Sequence, residues 1–491
     1  MNLLQVAPYS DLLSHSRYLL TLRSEQGAYH SLILFRLSGS SDTAVHEKYA
    51  DSSSSQGSQH SQLYAMESTC PHLGLDMSHA EIEDCESSVV AVCPWHRYDF
   101  DLRTGHSETG LKACTYKVEI RSDESAVEKV WVETPEEGHN WRLVELRPVS
   151  EEFADPPPTK ETLHEHGLAT NLPIQDENIV PLDNHPKTLI QWAVLILNTA
   201  DPTMKVQRTR HAVHMFRTGQ LSSIGQRGSN VPRPPDLPPR HEAYVKNTVD
   251  PSKIGRRKNR AVMLHALANI EQWAIDLAWD IIARFGPIHP DLPPAFYSDF
   301  AKVALDESKH FSLLCSRLSA ISPETPYGSL PVHASLWESA SITFSSLRAR
   351  LAIIHLVQEA RGLDVNPATI EKFRRQGDAD SVKVLEVIHT DEVTHVTAGH
   401  RWFTWMCAKE GVDPVKTFRE DVRRCWRGDV KGPFNAQDRE KAGLTRDFYE
   451  DLRGEMGWVG NNGRYRTDSQ PAETLEGQTA AVQVEYEKER R

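Results

Sequence analysis

Cysteine is scarce in this chain. Seven in 491 residues, with no framework spacing, exclude a disulfide-stapled scaffold and fit a reducing compartment. Long apolar runs are missing too. The longest, near Leu189–Leu197, falls far short of the ~20 residues a membrane span needs. Nor is there a basic excess. Lys and Arg number 55 against 68 Asp and Glu, a formal charge of −13, which argues against nucleic acid as the main partner. The N-terminus has no basic region leading into an apolar one, so no secretory signal is expected, and the cytoplasm is the default location. The length suits two or three domains.

What is present begins with two short brackets, Cys70-Pro-His72 and Cys93-Pro-Trp-His96. One Cys and one His in each is the ligand set of a Rieske [2Fe–2S] cluster, with thiolates on one iron and imidazoles on the other. Zinc also takes two Cys and two His, but its fingers usually keep the Cys in one bracket and the His in the other. Leu63–Met66, Val89–Val92, Tyr98–Leu102, Thr115–Ile120 and Val130–Val132 alternate as short strands. The ligand loops are therefore expected on hairpin tips of a small antiparallel sheet. Residues 10–135 resemble the Rieske family, whose two boxes stand here as Cys70–Gly74 and Cys93–His96. Arg97 departs from that family, which usually has Gly after the second His. Leu75 and Trp95 occupy the positions where the respiratory branch carries a disulfide, so the resemblance is to the ferredoxin and oxygenase branch.

Three stretches read as non-globular: an insertion over Ser38–Ser61 rich in Ser and Gly, a Pro-rich linker over 148–186, and a polar tail over 456–491. The expected domains are thus a Rieske domain over 1–147 and a helical domain over 187–455. In the latter, Thr188–Leu197 and Lys205–Thr218 read as early helices. Four long amphipathic patterns follow, over about 256–285, 294–320, 336–361 and 378–409, with Gly286, Gly362 and Gly411 as stops. A shorter helix led by Pro367 is expected between the third and fourth. Four such helices predict a ferritin-like four-helix bundle behind an antiparallel β domain.

Two of these helices repeat one pattern, Asp306-Glu307-Ser-Lys-His310 and Asp391-Glu392-Val-Thr-His395. A spacing of three puts Glu and His on one face, and that face is otherwise apolar, where an uncompensated carboxylate is costly. The other two helices each offer an inward carboxylate, Glu271 and Glu359. Two Glu plus two Glu-x-x-His is the ligand set of dinuclear carboxylate sites in bundles. Asp306 and Asp391 are placed to hydrogen-bond the far nitrogen of a ligand His across the bundle. His265, His355, His389 and His400 read as packed or capping residues. The stretch from about 187 to 455 resembles the ferritin-like family known as domain of unknown function 455. The resemblance is carried by Ile270–Ile275, Asp306–Phe311, Tyr327-Gly328 with Pro331–His333, Glu359–Asp364 and Asp391–His395. It implies a fold and a metal site but no substrate.

Together these features lead to an iron-dependent oxidoreductase. A Rieske cluster feeds electrons to a di-iron centre (Fe2 or Mn/Fe) that activates O2 to oxidise or oxygenate an unknown small molecule. Glu271, Glu307, His310, Glu359, Glu392 and His395 are its catalytic set. No nicotinamide or flavin fingerprint is present, so an external reductase is the expected donor. One alternative is a peroxidase or ferroxidase on the same ligands; another is a redox-responsive iron–sulfur protein without organic substrate. A mononuclear 2-His-1-carboxylate site is a further alternative. It would use Glu392, His395 and His400, but the sister motif has Cys315 where its second His would fall.

Overall fold

The run Leu32-Ile-Leu-Phe35 has no polar residue in it because both of its faces are covered. In the computed structural model of the chain it lies in strand β3, Tyr29–Leu37. Successive side chains of a strand point to opposite faces. Leu32 and Leu34 enter one core with Leu20, Leu22 and Val130, while Ile33 and Phe35 enter a second with Met66, Cys70, Cys93 and Phe100. The structure describes residues 2–37, 62–85, 88–122, 127–136, 138–149, 178–221, 223–227, 231–241 and 259–456. The expected insertion (38–61), most of the expected linker and nearly all of the expected tail lie outside the described residues.

The chain divides into two compact units, Met1–Pro156 with Arg217–Gln220, and Pro157–Phe216 with Leu221–Arg491. The first is antiparallel β. Strands β1 (Leu3–Pro8), β10 (Glu128–Glu133) and β9 (Val118–Ser122) make one sheet. A second sheet has the order β11 (Arg142–Pro148), β2 (Arg17–Arg23), β3, β4 (Gln62–Glu67) and β8 (Thr115–Tyr116). A third joins β5 (Glu81–Cys85), β6 (Ser88–Val92) and β7 (Asp99–Asp101). The single small sheet expected from the sequence is thus three. Only the second ligand loop sits at a hairpin tip, between β6 and β7; the first links β4 to β5, which belong to different sheets.

The second unit is helical. Helix α1 (Leu189–Leu197) starts at Thr188, whose side chain accepts from Gln191 N while the Gln191 side chain answers the cap. Helix α2 spans Pro202–Arg217. Helix α3 (Arg260–Phe285) packs along α4 (Pro294–Ile321). The third long pattern is not one helix ending at Gly362. A short α5 (Ser335–Ser341) precedes α6 (Leu347–Arg350). A π-helical segment, Leu351–Gln358, continues α6 without leaving helical dihedrals and leads into α7 (Glu359–Arg375). Gly362 and Pro367 therefore lie inside a helix rather than at its end and at the next start. Helix α8 (Ala379–Glu410) begins at the Asp378 cap and ends at Gly411 in the left-handed conformation, φ 68°, as the sequence stop signals require. It packs against α4, α7 and the π-helical segment. No helix among the described residues is long and apolar enough to cross a membrane. Helices α9 (Pro414–Cys425), α10 (Ala436–Lys441) and α11 (Arg446–Tyr449), with the short pair β12 (Arg427–Asp429) and β13 (Arg453–Glu455), complete the unit.

Gly399 on α8 is required by a close approach. A Cβ there would stand 2.5 Å from the His355 Cβ and 3.0 Å from its carbonyl oxygen. At Gly362 a Cβ would meet nothing nearer than Glu392 Oε2 at 3.8 Å, an ordinary contact. Gly399→Ala should accordingly destabilise the metal-free protein by about 1–3 kcal/mol through overpacking. Gly362→Ala should be neutral or stabilising by up to about 1 kcal/mol through helix propensity. Denaturant unfolding of the two variants measures this, and equal behaviour of the pair would contradict the packing described.

Candidate metal centres

The two Rieske brackets form the same turn twice. Cys70 N donates to Leu75 O at 2.7 Å and Gly74 N to Cys70 O at 2.7 Å. Cys93 N donates to Tyr98 O at 2.7 Å and Arg97 N to Cys93 O at 2.9 Å. Arg97 is therefore the counterpart of Gly74, and both take the left-handed backbone, φ 58° and 73°. This is why glycine suits the position. Arg97 holds the same shape with a side chain whose guanidinium pairs with Glu81 and with Glu83 at 3.3 Å. The unusual residue keeps the loop geometry.

Both cysteines sit in the apolar cluster with Phe35, Met66 and Phe100, while His72 is half-buried and His96 exposed. The imidazoles meet edge to face with centroids 4.8 Å apart. The hydrogen bond shared by the two thiols holds Cys93 down to about 6 and pushes Cys70 up. The buried Nδ1 of His72 has no hydrogen-bond partner. Two thiols, one already biased to thiolate, beside two imidazoles with an orphaned ring nitrogen are what a [2Fe–2S] ligand set needs. The four residues fit that cluster.

In the helical unit α3, α4, α7 and α8 bring Glu271, Glu307, His310, Glu359, Glu392 and His395 together. Two sets of ligand atoms lie within 4.8 Å of one another: Glu271, Glu307, His310 and Glu392, and Glu307, Glu359, Glu392 and His395. Glu307 and Glu392 belong to both sets. The Glu307 carboxylate is divided between the imidazoles, with Oε2 at 3.2 Å from His310 Nδ1 and Oε1 at 3.1 Å from His395 Nδ1. Neither Glu307 Oε1 nor His395 Nδ1 has hydrogen-bond geometry to a partner, though both are buried. Glu271 Oε2 is 3.6 Å from His310 Nδ1, and Glu392 Oε2 is 3.7 Å from His395 Nδ1.

The far nitrogens are held crosswise. His310 Nε2 lies 3.0 Å from Asp391 Oδ2 and His395 Nε2 lies 3.3 Å from Asp306 Oδ2, the pairing expected from the sequence. A carboxylate can only accept, so each Nε2 carries a proton and Nδ1 faces inward. Lys309 was not anticipated. Its ammonium stands 2.6 Å from Asp391 Oδ2 and 3.9 Å from Asp306 Oδ1, offsetting the charge of both orienting carboxylates. Its position between Glu307 and His310 was the available signal, but lysine on a helix usually reads as solvated surface.

Other buried carboxylates on α3 contrast with these. Asp276 is paired with Lys205 and Arg240, and Asp280 with Arg284 and Arg350, so neither calls for an ion. Of the remaining histidines, His265 Nε2 accepts from Gly328 N at 2.9 Å and His389 Nε2 meets Asp438 at 3.1 Å. His400 belongs to neither ligand set, which removes the support for a mononuclear site. His355 is buried with no hydrogen-bond partner for either ring nitrogen.

A family model described as a protein of unknown function, DUF455, matches residues 198–450, more than half of the chain and all six clustered residues. The chain belongs to the DUF455 family. A model for the soluble Rieske-type ferredoxin matches residues 55–131, which hold all four bracket residues. This DUF455 chain therefore carries a Rieske-type ferredoxin domain ahead of its family domain. An uncharacterized protein of Haemophilus influenzae is 36% identical over 202 residues, 40% of this chain and 67% of that protein. A crystal structure of a proposed NADH-dependent nitrite reductase small subunit from Mycobacterium tuberculosis covers 26% of this chain and 94% of its own. Its identity is 15% and its TM-score 0.19.

Metal-free, the DUF455 site holds protons. Burial, then the neighbouring Glu307 charge, raises Glu271; burial, then Glu392, raises Glu359. Burial opposes charge on His310 and His395, but their carboxylate partners outweigh it and raise both. Burial likewise opposes charge on Glu307, yet the two imidazoles hold it low. Groups raised in this way keep protons that an entering cation must displace, so uptake releases protons and strengthens with pH. Ferrous affinity of the helical site should rise between about pH 6 and about pH 8, with proton release in a pH-stat. An affinity independent of pH would contradict the protonation described.

Proposed function

We propose that the chain is an iron-dependent oxidoreductase in which the Rieske cluster supplies single electrons to a dinuclear, ferritin-like centre built from Glu271, Glu307, His310, Glu359, Glu392 and His395. The observation that carries this reading is that the two ligand sets, buried except for half-buried Glu359, share Glu307 and Glu392. Shared carboxylates are how a bundle holds two ions at once. When bound, a pair of irons supplies activation of O2 for oxidation or oxygenation of a small organic molecule, drawing electrons one at a time.

The chain's own residues set the conditions. Glu307 presents one oxygen to each half of the site, so its negative charge would be divided between two cations. Asp306 and Asp391 keep the Nε2 protons in place, so that each Nδ1 faces inward and would offer its lone pair once a cation displaced its proton, while Lys309 keeps those two aspartates from adding unbalanced charge. Apolar neighbours on the same faces, Val303, Ala304, Phe311, Ile388 and Val396, are buried and exclude bulk water. An external reductase is the electron source in this reading, O2 and a small molecule are the co-substrates, and the compartment is the reducing cytoplasm.

Metal and sulfide analysis with EPR tests the proposal. The purified chain should carry about four irons and two sulfides, and Glu307→Ala should retain about two irons and the reduced Rieske signal. Dithionite-reduced wild type should consume O2 faster than Glu307→Ala. Iron confined to the cluster, or O2 uptake indifferent to Glu307, would contradict the proposal; turnover of H2O2 alone would point to a peroxidase.

A further inference from the structure

His355 lies one turn before Glu359, within the π-helical segment Leu351–Gln358. It is 1% exposed, and neither ring nitrogen has a hydrogen-bond partner. Leaving a buried imidazole without a partner is costly, and packed histidines almost always satisfy at least one nitrogen. The nearest carboxylate oxygen is Glu359 Oε1, 3.9 Å from Nδ1. The ring stacks obliquely on Phe300 with centroids 4.9 Å apart, and Gly399 makes room for its backbone.

The π-helical turn gives the placement a second, independent sign. Such turns are rare, less well bonded than α-helix, and frequent at functional sites. Here the turn sits directly ahead of Glu359, whose backbone N–H reaches back to Ile354 O. It rotates the residues before it relative to those after it, with His355 and Glu359 near one another on the inner side. Glycine at 399 lets α8 approach the backbone and Cβ of His355, and the turn carries a polar ring that has no hydrogen-bond partner among the described residues.

We propose that His355 is a further metal ligand, its Nδ1 joining Glu307, Glu359, Glu392 and His395 around one ion. The inference rests on the dinuclear reading above. Two ligand atoms at about 2.1 Å from a shared cation stand at most about 4.2 Å apart, and the 3.9 Å between Nδ1 and Glu359 Oε1 is within that span. His355 lies outside the four-atom set itself, so its ring would have to tilt toward the rest of that set for Nδ1 to reach a shared ion. The consequence is asymmetry: one ion would have His310 as its only imidazole, the other both His395 and His355.

The test is anaerobic titration of the full chain, cluster oxidised, with ferrous iron, comparing wild type with His355→Leu and His355→Gln. Wild type should bind two ferrous ions beyond the cluster, giving two distinct Mössbauer doublets. Both variants should hold one ion as tightly as wild type and the other about tenfold or more weakly, with metal-free melting of the Gln variant unchanged. Two ions at wild-type affinity in both variants would overturn the inference. So would equal weakening of both ions, or failure of both variants to fold without metal, since each makes the ring a packing element. Wild type that binds no ferrous ion beyond the cluster would instead remove the dinuclear reading.

Discussion

The helical unit depends on one carboxylate. Glu307 is 1% exposed and stands between two imidazoles at 3.2 and 3.1 Å. A buried charge costs several kcal/mol unless it is matched, and Glu307 is only the centre of a group that includes Glu271, Glu359 and Glu392. Protons and the two histidines hold this negative charge in the metal-free chain. Cations in their place would satisfy the same oxygens and both inward nitrogens. The four helices are arranged around that requirement: α3 and α7 each contribute one carboxylate, α4 and α8 each a carboxylate, an imidazole and an orienting aspartate.

The orienting layer extends the constraint outward. Asp391 is on α8 but holds His310 of α4, and Asp306 is on α4 but holds His395 of α8. Each helix thereby sets the other's tautomer, and Lys309 lies against both aspartates. Loss of one partner would leave a charge or an N–H unpaired at the centre of the unit. The β unit solves a similar problem with different means. Its two ligand turns are backbone-bonded copies of each other, anchored by cysteines in an apolar cluster, so the loop shape does not depend on the histidines.

Much of this was legible in the sequence because it rests on short-range rules. Asp378 and Gly411 bound α8 by capping chemistry, and the repeated Asp-Glu-x-x-His placed ligand and orienting residues on known faces. The Cys-x-His and Cys-x-x-His brackets pointed to the Rieske-type domain that the family model matches. What was not legible depends on tertiary contact. Propensity reads Gly362 as a helix stop and Pro367 as the next start, yet packing of α7 along α8 keeps the chain helical through both. The π-helical segment has no sequence signature, and without it His355 looks like any core histidine. Arg97 departs from the family's glycine, but its positive φ is sustained by the same two backbone hydrogen bonds as at Gly74. The division of the strands into three sheets followed from pairing across long separations, which alternation alone does not encode.

The central claim is that Glu307 and Glu392 are shared by two metal ions. Anomalous diffraction at the iron edge from crystals of the iron-loaded protein tests it directly. The account predicts, apart from the cluster, two peaks about 3.5–4 Å apart, with the carboxylates of Glu307 and Glu392 between them. A single peak, or density for iron only beside Cys70 and Cys93, would contradict it.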